Sequence, residues 1–158
     1  MNMQKITPFL MFNDQAGEAM EFYTSVFPNS KILSKMPGPD GKVMGGSFEI
    51  EGQRFNCYNA GPHPNFKFSQ GISFMIYADT QDEIDHYYDS LSEGGEQQSC
   101  GWLADKFGVS WQVTPRMLMQ SLSDPDREKA SRVMQAMFKM TKIIIADLEA
   151  AAMSEPPA

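Results

Sequence analysis

The residues able to do chemistry in this chain are few. Its two cysteines are Cys57 and Cys100 and its two histidines His63 and His86. Cys100 is the candidate nucleophile or redox thiol, since Lys106 and Arg116 follow closely enough to lower a thiol pKa. No histidine stands near it in sequence to act as base, and a buried structural thiol beside Trp102 is the plainer reading. His63 lies in a proline-rich stretch and His86 two positions off a helical apolar stripe. Neither has Cys, Asp or Glu at ligand spacing, so both read as solvated surface residues. Trp102 and Trp111 either stack on an aromatic ligand or fill core, and both uses stay open. The 13 methionines, Met134, Met137 and Met140 among them, point to adaptable packing. What remains is a set of amides and hydroxyls on alternating positions of two short segments: Asn56 and Tyr58, then Ser110, Gln112 and Thr114. An apolar pocket edged by such groups suits a small aromatic or amphipathic ligand.

The elements that must position these groups come from a repeat. Phe9 to Val26 (FLMFNDQAGEAMEFYTSV) returns without a gap as Phe74 to Leu91 (FMIYADTQDEIDHYYDSL), an offset of 65 residues. Five of 18 positions are identical, Phe9/Phe74, Asp14/Asp79, Glu18/Glu83, Tyr23/Tyr88 and Ser25/Ser90, where unrelated sequences give about one. Two copies are too few for a solenoid, so the repeat predicts one domain built from two similar halves.

Each copy reads as strand then helix. Gln4 to Phe12 is apolar on both alternating sets, as in a strand covered on both faces. A helix follows from Gln15 to Phe27 with Ala19, Phe22, Tyr23 and Val26 inward and Asp14 as its cap. Ile84, Tyr87, Tyr88 and Leu91 repeat that stripe, and Thr80 with Glu83 forms a capping box. Extended segments follow in each half: Lys31 to Met36, Val43 to Glu51 and Arg54 to Asn59, then Glu96 to Cys100, Trp102 to Lys106 and Val109 to Thr114. PGPDG at Pro37 to Gly41 and the Glu51-Gly52-Gln53 turn separate those of the first half. The halves are thus βαβββ modules spanning 4–60 and 71–115 of a single domain, 1–158. Within a helical tail, 116–153, a helix opens at Asp124 as N-cap with Pro125 at the first helical position, runs to about Met140 and turns Ala130, Val133, Met134 and Met137 inward, and Ile143 to Met153 forms a final short helix. The terminal SEPPA is expected to fray.

Composition narrows the function. A chain of 158 residues with 42% hydrophobic and 21% charged residues is an ordinary globule. Net charge of −7 with 13 Lys plus Arg spread along the chain argues against nucleic acid as a partner. The apolar runs are too short to span a membrane, and the N-terminus lacks signal-peptide features, so the expectation is a cytoplasmic protein with reduced thiols.

Two βαβββ halves, each with a strand, an Asp and a helix bearing Phe22-Tyr23 or Tyr87-Tyr88, resemble the vicinal oxygen chelate superfamily of glyoxalase, bleomycin-resistance and extradiol-dioxygenase relatives. Pro8-Phe9-Leu10, Glu18-Ala19, Val26-Phe27 and above all CGWLADKFGVSWQVTPRML from Cys100 to Leu118 resemble its PhnB-like family, often labelled 3-demethylubiquinone 3-methyltransferase-like, over roughly Lys5 to Ala152. The resemblance implies an α+β fold in which the modules form a cupped mixed sheet (the glyoxalase/bleomycin resistance/dioxygenase fold), two-fold homodimers, and a divalent metal held by His or carboxylate groups on the first and last strand of each half. Carried over residue by residue, those ligand positions fall at Thr7 or Pro8, Asn56, Ile72 or Ser73, and Gln112. None is a strong ligand, so the expectation is no metal and no cofactor. The methyltransferase label meets a similar obstacle. A doubly wound S-adenosylmethionine site needs a glycine-rich turn after the first strand, whereas Asn13-Asp14-Gln15-Ala16 follows it here.

Strand alternation then assigns faces. Thr7, Phe9 and Met11 in one half and Phe74 and Ile76 in the other are expected to line the cup, with Leu10, Phe12, Met75 and Tyr77 turned towards the helices. Asn56, Tyr58, Ser110, Gln112 and Thr114 add polar contacts, and Trp102 a ring. The reading is a metal-independent binding protein for a small aromatic or amphipathic ligand. The alternative is an enzyme, either methyl transfer as labelled or a glyoxalase-type lyase or isomerase.

Overall fold

The computed structural model describes residues 4–154. Its contacts divide the chain after Phe68 into two compact units.

The first unit holds β1 (Phe9–Phe12), α1 (Ala16–Val26), β2 (Ser30–Pro37), β3 (Val43–Ile50) and β4 (Gln53–Asn59). Its sheet runs β1-β4-β3-β2, with β1 parallel to β4 and the other pairs antiparallel. Glu51 and Gly52 both have positive φ, 49° and 80°, the backbone of a two-residue hairpin turn between β3 and β4. On one face α1 lays Ala19, Met20, Tyr23 and Val26 against Leu10, Phe12, Phe48, Ile50 and Phe55, all buried. The Tyr23, Phe48 and Phe55 rings stack in series at 5.7 and 5.1 Å, a geometry that adds aromatic pairing to area burial. Cys57 is buried on the same face, and that burial pushes its thiol pKa up to about 11, which leaves it an inert core residue.

Asp14 is not the α1 cap. The N-cap is Gln15, without a side-chain bond, and the Ala16 N–H donates instead to Asn59 Oδ1 at 2.8 Å. Asn59 also donates to the Val43 carbonyl at 3.2 Å, so one amide at the end of β4 fixes both the start of α1 and the start of β3.

The second unit repeats the order with β5 (Phe74–Ala78), α2 (Gln81–Ser92), β6 (Glu96–Gln97), β7 (Trp102–Ala104) and β8 (Ser110–Pro115), in a sheet β5-β8-β7-β6 with β5 parallel to β8. Thr80 caps α2 as expected, accepting from the Glu83 N–H at 3.2 Å. Tyr88 is fully buried like Tyr23, and its hydroxyl lies 3.0 Å from both the Gln98 and Trp102 carbonyls. β6 and β7 are shorter than expected because the chain turns tightly through Ser99-Cys100-Gly101, with Cys100 and Gly101 at φ of 60° and 81°.

One expectation about faces is overturned. The helices repeat at 65, but the strands repeat at 66: Phe9 faces Asn56 and Leu10 faces Cys57, whereas Met75 faces Gln112 and Ile76 faces Val113. Three residues join β1 to α1 and only two join β5 to α2. Because side chains alternate with period two, that single residue exchanges the faces of β5. Phe74 and Ile76 therefore lie on the helix side with Trp111 and Val113, the Phe74 and Trp111 rings 5.4 Å apart. Met75 and Tyr77, 38% and 44% exposed, take the opposite face.

The tail packs within the second unit as α3 (Arg116–Leu122), α4 (Arg127–Phe138) and α5 (Ile145–Met153) around Leu118, Val133, Ile143 and Leu148. The sequence reading missed α3, and α4 starts later than expected. Its N-cap is Asp126, which accepts from the Lys129 N–H at 3.2 Å, and Pro125 stays outside the helix. Gln81 on α2 docks the tail by accepting from the Ile145 N–H at 2.8 Å and donating to the Ile143 carbonyl at 3.0 Å. Lys142 reaches Asp85 and Asp89 on α2, at 3.2 and 2.9 Å. Residues 155–158 of the SEPPA segment lie outside the described residues.

Candidate functional site

Each sheet has one face against its helix and one turned away from it, and nearly all of the expected polar residues lie on the latter. In the first unit, period-two alternation along β4 puts Arg54, Asn56 and Tyr58 there, beside Phe9 and Met11 of β1 and Ser47 of β3. Tyr58 faces Gly45, where an added Cβ would stand 2.4 Å from the Cys57 carbonyl oxygen and 3.0 Å from the Tyr58 ring. Only glycine leaves room for the ring at that place. Thr7 falls just before β1, and its hydroxyl donates to the Gln4 carbonyl at 3.0 Å.

In the second unit the corresponding face carries Ser110, Gln112 and Thr114 of β8, Trp102 of β7, and Met75 and Tyr77 of β5. Gln112 faces Trp102 across the ladder, and its Nε2 donates to Ser73 Oγ at 2.8 Å. Ser73 sits 66 residues after Thr7, so a hydroxyl stands at the same place before the first strand of each module. Ser110 and Thr114 are buried, whereas Trp102 and Gln112 are half-buried.

β8 is held in register by its own turn. Asp105, 2% exposed, accepts from the Phe107 and Val109 N–H groups at 2.9 and 3.0 Å through Oδ1, and from the Trp111 indole N–H at 2.9 Å through Oδ2. Gly108, at φ 91°, completes the loop by donating to the Asp105 carbonyl. Trp111 is thus core, not ligand surface, and Trp102 is the ring left facing away from α2. Cys100 belongs to the tail joint: its N–H donates to the Met140 carbonyl and that of Gly101 to the Thr141 carbonyl. His63 and His86 are both exposed, as surface residues should be.

The residues at the superfamily's ligand positions do not fit a divalent metal. Thr7, Asn56, Ser73 and Gln112 supply neutral hydroxyls and amides, and Gln112 presents its N–H side to Ser73. Such a set brings no charge and no imidazole. Among the described residues no group of three or more His, Cys, Asp or Glu could hold a metal ion. Nor does the β1–α1 link fit a nucleotide cradle. It has no glycine, the Ala16 N–H is committed to Asn59, and the sheet is not doubly wound.

Two βαβββ modules, each with a mixed four-stranded sheet, mark a member of the vicinal oxygen chelate superfamily. Within it the chain belongs to the family described as 3-demethylubiquinone-9 3-methyltransferase, whose model matches residues 4–114. That match stops before the tail, so α3 to α5 lie beyond it. The PhnB protein from Bacillus cereus is 38% identical, covering 71% of this chain and 99% of its own length at a TM-score of 0.66. Protein PA1353 from Pseudomonas aeruginosa is 22% identical with a TM-score of 0.58, covering 72% of this chain and 98% of that one. The fosfomycin resistance protein FosX from Listeria monocytogenes, complexed with Mn(II) and a dihydroxypropylphosphonic acid, is 17% identical with a TM-score of 0.54, covering 78% and 100%. The last two show the fold alone. No curated protein matches.

Arg54, Met75 and Tyr77 are not among the expected site residues. Alternation from Asn56 points to Arg54, whereas Met75 and Tyr77 required knowing that β5 is offset by one residue.

Proposed function

We propose that this chain is a small-molecule binding protein that takes an aromatic or amphipathic ligand on the helix-free sheet faces, without a metal ion. The hydrogen-bonded Gln112–Ser73 pair carries the reading, because it puts a neutral donor and acceptor where a metal-dependent relative needs a carboxylate. Each face offers a ring for a ligand to lie against, Trp102 opposite Gln112 in the second unit and the exposed Phe9 in the first. Native mass spectrometry of the purified protein tests this, followed by thermal shift with any retained compound, with and without EDTA. The expected result is an unmodified organic ligand whose stabilising effect survives the chelator and weakens in Gln112→Ala. Binding that requires added Mn, Ni or Zn would refute it.

Methyl transfer is the second reading, favoured by the family description. A retained S-adenosyl compound in the same spectrum would support it, and a chemically altered ligand would favour a lyase or isomerase. We further infer a cytoplasmic homodimer. The exposed Phe138 and Met119 of the tail support a partner surface, two-fold dimers dominate soluble homo-oligomers, and no helix among the described residues is long and apolar enough to cross a membrane. Light scattering that returned one chain's mass of 17.7 kDa would overturn the dimer.

A further inference from the structure

We propose that the helix-free face of the first sheet selects an aromatic carboxylate, with Arg54 as the group that reads the charge. This rests on the ligand-binding reading above and names its ligand class. Arg54 is half-buried, and among the described residues the one polar partner of its guanidinium is Ser47 Oγ, at 3.4 Å from Nη2. A planar group with five donors is thus left with a single long bond, beside a hydroxyl that is 3% exposed and itself held by Ser34 Oγ at 2.8 Å. Glu49 faces Arg54 across the ladder but is drawn towards Lys31, 3.9 Å away on its other side. The row Lys31, Glu49, Arg54 therefore keeps one net positive charge.

The rest of the face describes the ligand's body. The Asn56 amide and the Tyr58 hydroxyl have no hydrogen-bond partner among the described residues. They lie two and four residues from Arg54 on the same strand face, so Asn56 stands roughly 7 Å along it. Phe9 is opposite Asn56 and 57% exposed. A head group at Arg54 thus continues into a flat apolar body of about two fused rings over Phe9, with Asn56 and Tyr58 as hydrogen-bonding margins. One guanidinium and one hydroxyl suit a monoanionic carboxylate, which the guanidinium fork matches in a bidentate pair. A phosphate dianion would call for more cations than this face holds. In the second module the place of Arg54 is taken by Ser110, which is buried, and Gln112 is already tied to Ser73. The charge is therefore read by the first module.

The test is titration calorimetry with 2-naphthoate and its neutral isostere 2-naphthamide. Wild type should bind the acid roughly tenfold or more tightly than the amide, which is the reach of one charge-assisted pair, and less so as salt is raised. In Arg54→Gln the two affinities should converge to within about threefold, the acid losing much more than the amide; Arg54→Lys should keep part of the gap. Matching melting curves would show that the variants fold. Equal binding of acid and amide by wild type, or an undiminished gap in Arg54→Gln, overturns the charge selection and leaves the ligand-binding reading intact. If neither probe binds at millimolar concentration, the aromatic-ligand reading of this face falls, and the inference with it.

Discussion

Replacing Asp105 by Asn changes one atom and should have a large effect. The carboxylate accepts two backbone N–H bonds through Oδ1 and the Trp111 indole N–H through Oδ2, in a site only 2% exposed. An asparagine keeps the first pair but turns an NH2 towards the indole N–H, so two donors face each other where water cannot separate them. A hydrogen bond to a charged group contributes about 1.5–3 kcal/mol, and an unsatisfied buried donor costs a similar amount. We therefore expect Asp105→Asn to lose roughly 2–3 kcal/mol and Asp105→Ala, which removes all three bonds, roughly 4–5 kcal/mol. Those losses are a large fraction of the roughly 5–15 kcal/mol that holds a domain together. Urea denaturation followed by far-ultraviolet circular dichroism measures them. A cycle with Trp111→Phe isolates the side-chain bond, which should appear as a coupling of about 1–2 kcal/mol. Asp105→Asn within about 0.5 kcal/mol of wild type, or no coupling to Trp111, would refute the claim that this carboxylate clamps the β7–β8 turn.

Cys57 gives a pH prediction. Its folded pKa, pushed up to about 11 by burial, lies above the ordinary value of 9.0, so the folded state holds its proton longer than the unfolded chain. The stabilisation is complete below pH 9 and declines as pH rises towards 11, by at most about 1.4 kcal/mol per unit. Urea melts from pH 8 to 11 should show this fall, and a Cys57→Ala variant should lack that part of it; superimposable slopes would rule the burial effect out. Tyr23→Ala and Tyr88→Ala should each lose about 3–5 kcal/mol, as aromatic truncations in a core do. Near-zero losses at both would show that the rings are not the matched anchors of the two helices. Dialysis against EDTA should leave the melting temperature unchanged, and stoichiometric Zn, Ni, Mn or Fe by elemental analysis would contradict the metal-free reading of Gln112 and Ser73.

How much of this was legible in the residues depends on the period involved. The helical stripes were clear, because Tyr23, Val26, Tyr88 and Leu91 recur at i, i+3 spacing and are all buried. So were the β3–β4 turn and the Thr80 cap, where local chemistry alone decides. Two caps differ from expectation for different reasons. At Asp14 the donor is taken by Asn59, which only tertiary structure reveals; Asp124 does accept from the Asp126 N–H at 2.9 Å, but the helix begins two residues later and Asp126 is its cap. The two tryptophans could not be told apart in sequence either. Trp111 is core because Asp105 reaches back across a turn to hold its indole, and Trp102 is on the helix-free face because it faces Gln112.

The β5 error says something about how the two modules have diverged. A repeat aligned without gaps matched best on the helices, whose conserved positions fix their packing, and so hid the residue lost between β5 and α2. A helix tolerates that loss by turning its start, but a strand cannot, since one residue reverses every side chain. The second module absorbs the change. Phe74 and Ile76 fill space beside Trp111 and Val113, while Met75 and Tyr77 turn outward in their place. The first module holds its hairpin through Glu51, whose N–H donates to the Asn29 carbonyl and whose carboxylate accepts from the Asn29 amide, and among the described residues it keeps Arg54, Asn56 and Tyr58 on its helix-free face with most of their hydrogen-bonding capacity unspent. In the second, Gln112 is tied to Ser73, and Ser110 and Thr114 are buried. Twin modules can thus differ in chemistry on equivalent faces: the second is neutral with its amide paired to a hydroxyl, while the first keeps a cation and uncommitted donors, which is where a charged group finds partners.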